Sequence, residues 1–226
     1  MSLRPRPILA VAFDLDGLIF DTEALFVRVL GQMLADRGRA LTPDIMVAMI
    51  GRRAAEAYPV LKRLTGFDET PDELLAEIRT RFTAEMDTAI HPTPGLFALL
   101  AHLDRAKIPR AVATSSRRAY AEGLLRSHGL IDHFSFILGA EDVTNAKPDP
   151  EIYLTAASRF GVEPGSMLVL EDSPPGLAAG KAAGAFAVGV PHEHSPAEGL
   201  GAADLIVPRL DDPALFARID AEGPVR

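Results

Sequence analysis

The chain contains no cysteine among its 226 residues. This absence excludes disulfide bonds, catalysis by a thiolate and metal sites built on cysteine ligands, and it leaves the redox compartment open. No apolar run approaches the ~20 residues that a membrane-spanning helix needs. Residues 1–13 also lack the pattern of a secretory signal, because Arg4 and Arg6 precede only a short strand-like run. We therefore expect a cytoplasmic protein with no membrane partner.

Positive charge is also scarce, since 23 Lys and Arg residues face 31 Asp and Glu residues for a formal net charge of −8. Proteins that bind nucleic-acid backbones are usually basic, so we expect no nucleic-acid partner. Hydrophobic residues make up 48% of the chain and charged residues 24%, as in ordinary globular proteins. The length allows one large domain or two smaller ones.

The hydrophobic pattern divides the chain into two parts. An apolar run over residues 8–13 precedes helical patterns from residue 23 to about residue 89, and short apolar runs then alternate with helical stretches. This alternation predicts an α/β fold, a Rossmann-like parallel sheet with helices on both faces. Residues 1–21 and 91–226 would form that catalytic core, and residues 22–90 an inserted all-helical cap domain. The two crossings between them would form the hinge of a lid.

Local signals place individual elements. Thr70, Pro71 and Glu73 are typical of a capping box at the start of a helix, Gly38 and Gly66 are expected to end helices, and Pro59 is expected to break or kink one. Beyond the first, the predicted strands cover residues 109–113, 134–138, 167–170, 185–190 and 205–207. The predicted helices cover residues 24–37, 53–64, 71–86, 95–106, 117–127, 150–160 and 176–183, with a further segment beginning at residues 42–44.

Two carboxylates follow the first strand where it meets a glycine. Side chains alternate along an extended chain, so Asp14 and Asp16 can project toward one pocket while Leu15 packs away. Two like charges this close repel each other, which indicates a compensating cation or a shared proton, and hence chemistry. The carboxyl ends of strands are also where open α/β sheets bind ligands. An acidic turn without chemistry is the alternative.

Hydroxyl groups follow the second predicted strand. Thr114, Ser115 and Ser116 lie before Arg117 and a helix, whose first N–H groups and positive dipole end favour an anion. Either serine could instead be an ordinary helix N-cap. Thr114 lies at the end of the strand itself and is harder to explain as a cap.

Charged residues occur near two further helix starts. Lys147 precedes a proline, and the following Asp149 and Pro150 are expected to be the N-cap and first residue of a helix. A lysine held there could neutralise phosphoryl oxygens instead of lying in solvent. Glu171 and Asp172 follow the strand of residues 167–170. Oxygen ligands without cysteine favour Mg²⁺ over zinc or copper.

Other motifs have plainer interpretations. The histidines at 192 and 194 are expected in a solvated loop between prolines. Gly176 and Gly180 would permit close packing of a helix on the sheet, and Gly184 would end that helix.

Taken in order, the DxDG motif at Asp14, the strand-end Thr114, Lys147 and the acidic pair Glu171-Asp172 resemble the signature of the haloacid dehalogenase superfamily of phosphatases and phosphomutases. The resemblance covers essentially the whole chain. The helical insert and the motifs at 21–23 and 147–150 resemble the branch that includes β-phosphoglucomutases, phosphoglycolate phosphatases and pseudouridine 5′-phosphatases. Residues around 51 and at 113–117 look closest to the pseudouridine 5′-phosphatase-like members.

This resemblance implies a Mg²⁺-dependent phosphatase that hydrolyses small phosphate monoesters of the sugar phosphate, nucleotide or phosphoglycolate type. Asp14 would be the nucleophile that forms an aspartyl-phosphate, and Asp16 the general acid and then the general base. Thr114 and Lys147 would hold the phosphoryl oxygens. The implied Mg²⁺ ligands are Asp14, the backbone carbonyl of Asp16, Asp172 and, as a further candidate, Glu171.

The implied partner is a small phosphorylated metabolite, and the protein is expected to be a monomer or a weak homodimer. Candidate substrate contacts come from both parts of the chain. They are Glu23, Arg52 and Arg53 in the insert, where the two arginines are surface charges or lid residues, and Ser115, Ser116 and Arg117 in the core.

Three other functions share part of this pattern. A β-phosphoglucomutase-like phosphomutase would use every core residue. That branch, however, places an arginine three residues after a glycine of the lid, which is Gly51 here, and this chain has Ala54 at that position. A 2-haloacid dehalogenase would leave Asp16 and the later acidic pair unexplained, because chloride needs neither a proton nor a metal to leave. A non-enzymatic phospho-acceptor, like a response-regulator receiver, would need neither Asp16 nor the insert. These differences favour hydrolysis.

Overall fold

The computed structural model describes residues 6–49, 54–192 and 197–221. The chain divides into two compact units, one made of the residues up to Phe20 together with those from Pro92 onward, and the other of Asp21–His91. The second unit thus interrupts the first in sequence. Within the described residues, no helix combines the length and the apolar character needed to cross a membrane.

Six parallel strands form the sheet of the first unit. They are β1 (Ala10–Phe13), β2 (Arg110–Ala113), β3 (Ile137–Leu138), β4 (Met167–Glu171), β5 (Phe186–Gly189) and β6 (Leu205–Ile206). Their order is β3-β2-β1-β4-β5-β6, with every pairing parallel. This sheet confirms the predicted α/β class. Because the chain continues from β1 toward β2 but from β4 toward β5, the strand order reverses between β1 and β4, where sheets of this type bind ligands.

Helices occur in both units. They are α1 (Thr22–Ala35), α2 (Pro43–Met49), α3 (Ala54–Thr65), α4 (Pro71–Ala89), α5 (Leu96–Ala106), α6 (Arg118–Ser127), α7 (Glu151–Phe160), α8 (Pro174–Ala182) and α9 (Pro213–Asp220). The first four belong to the unit Asp21–His91, and the described part of that unit contains no strand. Helix α9 has no counterpart among the predicted elements.

The core of the sheet unit follows from the composition of β1. All four residues of this strand are buried, as in a parallel strand covered on both faces. Ala10 and Ala12 face a cluster that includes Tyr153 and Ala156 of α7 and Val169 of β4. Small side chains on the strand leave room for α7 to approach, and α7 in turn brings the residues that precede it to the end of β1.

The helical unit shows the predicted capping. Thr70 Oγ1 accepts a hydrogen bond from the N–H of Glu73, and the Glu73 carboxylate accepts one from the N–H of Thr70, which completes the capping box. Gly38 and Gly66 follow α1 and α3 with φ of 68° and 70°, as expected of glycines that end helices. Of the two effects expected of Pro59, a break or a kink, the break is wrong, because α3 continues through Pro59. The missing N–H removes one hydrogen bond, while Tyr58 and Leu61 of the same helix remain buried.

Two predicted helix starts are also shifted. Helix α7 begins at Glu151 with Pro150 as N-cap, although Asp149 still accepts a hydrogen bond from the N–H of Glu151. Helix α6 begins at Arg118 with Arg117 as N-cap, so neither Ser115 nor Ser116 caps it. The alternative explanation of these serines as helix caps is therefore wrong.

Candidate active site

Four predicted site residues lie at the carboxyl edge of the sheet. Asp14 follows β1, Thr114 follows β2, Glu171 is the last residue of β4 and Asp172 comes next. All four are buried. The N–H of Asp14 donates to the carbonyl of Leu170 and that of Thr114 to the carbonyl of Leu138, so the ladder of the sheet continues into the site and holds these residues.

Lys147 joins the ends of three strands. Its Nζ lies 2.5 Å from Asp14 Oδ1, 2.6 Å from Glu171 Oε1 and 2.9 Å from the carbonyl oxygen of Ala113. An ammonium group has three N–H donors, and each has an acceptor here. Burial by itself would lower the pKa of Lys147, but Asp14 and Glu171 outweigh it and raise that pKa well above the ordinary value. Lys147 is therefore a fixed positive charge.

Glu171 anchors this lysine. Its Oε1 also accepts a hydrogen bond from the hydroxyl of Tyr153 at 2.6 Å, and its Oε2 accepts hydrogen bonds from the N–H and the hydroxyl of Ser173 at 3.3 and 2.8 Å. A Cβ atom on Gly176 would overlap this carboxylate. Gly176 is thus required for the approach of Glu171 to the first turn of α8, whereas the close helix–sheet packing predicted for glycine occurs at Gly180, against Val169.

Asp14 lies in a strongly negative environment despite its contact with Lys147. Burial raises the pKa of Asp14 well above the usual value, Lys147 lowers it, and the charges of Glu171 and Asp172 raise it further. Candidate ligand oxygens of Asp14, Glu171 and Asp172 lie within 4.8 Å of one another. Three carboxylates this close repel one another, and one ammonium group offsets only part of their charge. An oxygen-only donor set with surplus negative charge fits Mg²⁺.

Asp172 contacts His192, a residue that the sequence predicts to lie in a solvated loop. His192 Nε2 lies 3.0 Å from Asp172 Oδ2, and only 19% of the His192 side chain is exposed. The expected solvated position of His192 is therefore wrong, while His194 lies outside the described residues. Burial raises the pKa of Asp172 to about 6, with the His192 hydrogen bond lowering it and Glu171 raising it. Gly17 has φ of 83°, and a Cβ atom there would overlap Asp172 Oδ2.

Asp16 is held by two hydroxyl groups. Ser116 Oγ donates to Asp16 Oδ2 at 2.7 Å, and the hydroxyl of Tyr120 donates to Asp16 Oδ1 at 3.2 Å. The N–H of Ser116 in turn donates to Thr114 Oγ1 at 3.0 Å. Burial, followed by the charge of Asp16, raises the pKa of Tyr120 well above the ordinary value.

The other predicted substrate contacts lie in three different parts of the chain. Ser115 and Arg117 are exposed in the segment between β2 and α6. Glu23 lies in the first turn of α1, in the helical unit. Arg52 and Arg53 lie outside the described residues. Their roles in substrate binding stay predictions.

Tyr120, Tyr153 and His192 are the contacts that sequence reasoning missed. Tyr120 comes three residues after Arg117, and Tyr153 comes three residues after Pro150. Both lie in helices that also bury apolar side chains, so no spacing marks them as polar partners. For His192, the signal was its place after a strand, because β5 ends next to β4 and brings the following loop to the same edge. That signal depends on strand order, which the sequence did not reveal.

Comparison with known proteins identifies the family of this chain. The model of the haloacid dehalogenase-like hydrolase family matches residues 11–190. The validoxylamine A 7′-phosphate phosphatase of Streptomyces hygroscopicus subsp. limoneus is 33% identical over 201 residues, which span 88% of this chain and 93% of that protein. A Drosophila melanogaster protein named as a probable pseudouridine-5′-phosphatase is 32% identical over 216 residues, 92% of each chain.

A solved structure shows the same fold. The crystal structure of a haloacid dehalogenase family hydrolase from Deinococcus radiodurans R1, with bound phosphate and sodium, superposes with a TM-score of 0.75 at 32% identity and covers 89% of this chain and 91% of that one. The matched residues 11–190 include Asp14 and Asp16 after β1, all of β2, Lys147 and the acidic end of β4. The chain therefore belongs to the haloacid dehalogenase-like hydrolases, the family whose motifs its sequence presents in order.

Proposed function

We propose that this hydrolase is a Mg²⁺-dependent phosphatase of small phosphate monoesters and that it works through an aspartyl-phosphate on Asp14. The observation that carries the proposal is the contact of the buried Asp14 carboxylate with Lys147, 2.5 Å away, beside the carboxylates of Glu171 and Asp172. A nucleophile for phosphorus, a fixed cation and oxygen ligands for a metal then share one sheet edge. The phosphatase names of the two relatives support the class of phosphoric monoester hydrolase.

The chemistry takes two steps. An oxygen of Asp14 attacks phosphorus, the bond from phosphorus to the ester oxygen breaks, and Asp16 gives a proton to the departing oxygen. Asp16 then takes a proton from water, whose oxygen attacks phosphorus, and the bond between phosphorus and Asp14 breaks. Inorganic phosphate leaves, and both carboxyl groups return to their starting states. The two reaction steps consume only the ester and one water molecule, and they need no oxidant.

Lys147 and Thr114 would stabilise the transferring group. Lys147 already donates to Asp14, so it holds the nucleophile in one orientation, and a phosphoryl oxygen bound to Asp14 would come within reach of the same ammonium group. Thr114 follows the neighbouring strand and is 1% exposed. Fixed donors of this kind stabilise the charge that develops on the phosphoryl oxygens.

The residues that would hold Mg²⁺ are Asp14 and Asp172, together with the backbone carbonyl of Asp16 that the family resemblance implies. Glu171 is the weaker candidate, because its two oxygens already accept four hydrogen bonds. When bound, Mg²⁺ offsets the repulsion between the carboxylates and an anionic substrate. Lys147 contacts both Asp14 and Glu171 and offsets part of the same negative charge.

The substrate class proposed is a hydroxylated metabolite that carries one phosphate monoester, such as a sugar phosphate or a nucleotide. The relatives named for validoxylamine A 7′-phosphate and pseudouridine 5′-phosphate support this choice, since both names specify a small molecule that carries a phosphate ester. Glu23, Arg52 and Arg53 are proposed to contact the part of the substrate beyond the phosphate. We further propose a cytoplasmic enzyme that acts as a monomer or weak homodimer.

The test is a screen for phosphate release from phosphorylated sugars, nucleotides and short acids in the presence of Mg²⁺. We expect release from at least one class without any bisphosphate activator, and none from Asp14→Asn with the same ester. Acid quenching during turnover should trap phosphate covalently on Asp14. Phosphate release by Asp14→Asn would overturn the proposed nucleophile, and turnover that requires a bisphosphate would identify a mutase.

A further inference from the structure

We propose that Tyr120 is a positioning residue for the general acid of the first step, acting through its hydrogen bond to Asp16. The inference rests on the proposed function, because it concerns the role of Asp16 in that reaction. It adds a residue outside the family motifs from which the site was predicted. It also gives Ser116 a second task besides the predicted contact with substrate.

The geometry points to positioning because each oxygen of the Asp16 carboxylate has its own donor. Tyr120 donates to Oδ1 and Ser116 donates to Oδ2. With one donor the carboxylate could still turn about its Cβ–Cγ bond, whereas two donors on different oxygens define the plane of the group. The orientation of the proton that Asp16 carries is then defined as well.

The two donors lie close together in the chain, Ser116 between β2 and α6 and Tyr120 in α6. The N–H of Ser116 donates to Thr114 Oγ1, which ties it to the end of β2. Tyr120 lies in the first turn of α6, where its N–H donates to the carbonyl of Arg117 at 3.0 Å. The phenol is rigid, since its ring has two rotatable bonds, and it stays a donor at any pH where the enzyme would work. Asp16 is therefore oriented by a neighbouring strand end and not by its own loop alone.

The consequence of this arrangement depends on the leaving group. An alkoxide leaving from a sugar phosphate is strongly basic and needs the proton of Asp16 as the ester bond breaks. The p-nitrophenolate that leaves from p-nitrophenyl phosphate is weakly basic and departs without that proton. A residue that orients the acid should matter for the first ester and hardly for the second. A residue that only supports folding should affect both equally.

The experiment measures kcat/KM of Tyr120→Phe with p-nitrophenyl phosphate and with the sugar phosphate that the screen ranks first. We use kcat/KM because it reports steps up to the first irreversible one, before Asp16 is needed as a base. For the sugar phosphate we expect a fall of roughly 10- to 100-fold, a part of what losing acid catalysis or its alignment costs. For p-nitrophenyl phosphate we expect a change of less than about twofold, consistent with a step that needs no general acid.

Matched variants separate positioning from structure. Tyr58→Phe removes the hydroxyl of another buried tyrosine, in α3, and should show no dependence on the leaving group. Ser116→Ala should show the same dependence as Tyr120→Phe, and it keeps the test available if Tyr120→Phe does not fold. In an Asp16→Asn background, Tyr120→Phe should cost nothing further, since the two changes remove one function.

Equal losses for both esters, or a full additional loss in the Asp16→Asn background, would overturn the positioning role. A wild-type protein that releases phosphate from no ester would instead overturn the proposed function. The two failures are distinguishable because the first is measured on an active wild-type enzyme.

Discussion

Lys147 Nζ and Glu171 Oε1 are 2.6 Å apart at a point where the Glu171 residue is completely buried and only 5% of the Lys147 side chain is exposed. A buried ion pair of this kind costs desolvation on both sides, so its presence argues for a requirement other than stability. The same lysine contacts Asp14, which the proposed reaction uses as nucleophile. The pair therefore holds the proposed nucleophile at the carboxyl edge of the sheet.

Removing this lysine should damage stability far more than removing a surface lysine. Lys147→Met leaves Asp14 and Glu171 without their ammonium partner, and we expect unfolding free energy to fall by about 3–5 kcal/mol, the usual cost of an uncompensated buried charge. The matched control is Lys181→Met, because Lys181 pairs with Asp204 while 41% of its side chain is exposed. That change should cost less than about 1 kcal/mol. Denaturant titration at pH 7 measures both, and similar losses would contradict the arrangement described for Lys147.

Gly176 leaves room for the Glu171 carboxylate that contacts Lys147. Gly176→Ala would place a Cβ atom on the carboxylate of Glu171, so Glu171 must move away from Lys147 or α8 must shift. We expect a loss of stability of about 1–3 kcal/mol, as for an overpacked core, together with a loss of turnover. Gly123→Ala is the control, since Gly123 lies inside α6 with nothing near its Cβ position. It should stabilise the protein by roughly 0.5–1 kcal/mol, as alanine does in helix interiors. Thermal unfolding of the two variants should shift in opposite directions.

The acidic cluster should bind Mg²⁺ measurably in the absence of substrate. We expect Mg²⁺ to raise the melting temperature of the wild type, because a ligand that binds only the folded state stabilises it by about 2.7 kcal/mol at 100 times its dissociation constant. Asp172→Asn should lose most of this rise, whereas Asp211→Asn, which changes a half-buried aspartate paired with Arg209 away from the acidic cluster, should keep it. Chelation by EDTA should stop phosphate release in the wild type. A melting temperature that Mg²⁺ shifts equally in all three proteins would place the metal elsewhere.

The sequence allowed the fold to be predicted because its signals are local. Buried strands such as β1 are continuous apolar runs, and the capping box at Thr70 needs only neighbours in the chain. The site residues at strand ends were predictable for the same reason, since parallel strands bring their carboxyl ends to one edge. The helix does not break at Pro59, because tertiary packing of Tyr58 and Leu61 outweighs a single lost hydrogen bond.

Contacts made by side chains across elements could not be predicted in this way. Tyr120 and Asp16 are 104 positions apart, and their hydrogen bond depends on how α6 leaves β2. His192 meets Asp172 because β5 lies beside β4, a neighbour relation that becomes visible only with the strand order. These contacts hold the carboxylates of Asp16 and Asp172 in place, and a sequence pattern along one strand or helix does not contain them.

The helical unit carries a network whose strength should depend on pH. Arg37 donates to Glu69 at 2.7 Å and to Glu77 at 2.6 Å and so ties the end of α1 to the start of α4. Hydrogen bonds from Arg37 lower the pKa of both carboxyl groups below the ordinary value. A carboxyl group with a lowered pKa in the folded state contributes stability above its unfolded pKa and loses it as the pH falls toward the folded one.

Arg37→Met should therefore destabilise the protein at pH 7, and its difference from the wild type should shrink as the pH falls below the ordinary range of a glutamate. The control is Arg28→Met, because Arg28 makes one ion pair between α1 and α4, with Glu85, and about half of its side chain is exposed. An exposed single pair contributes little, so this control should lose less stability at pH 7. Denaturant titrations at several pH values between 7 and 3 give the comparison. A destabilisation by Arg37→Met that stays constant over this range would show that its contacts with Met33 and Phe67, and not the two carboxylates, carry its effect.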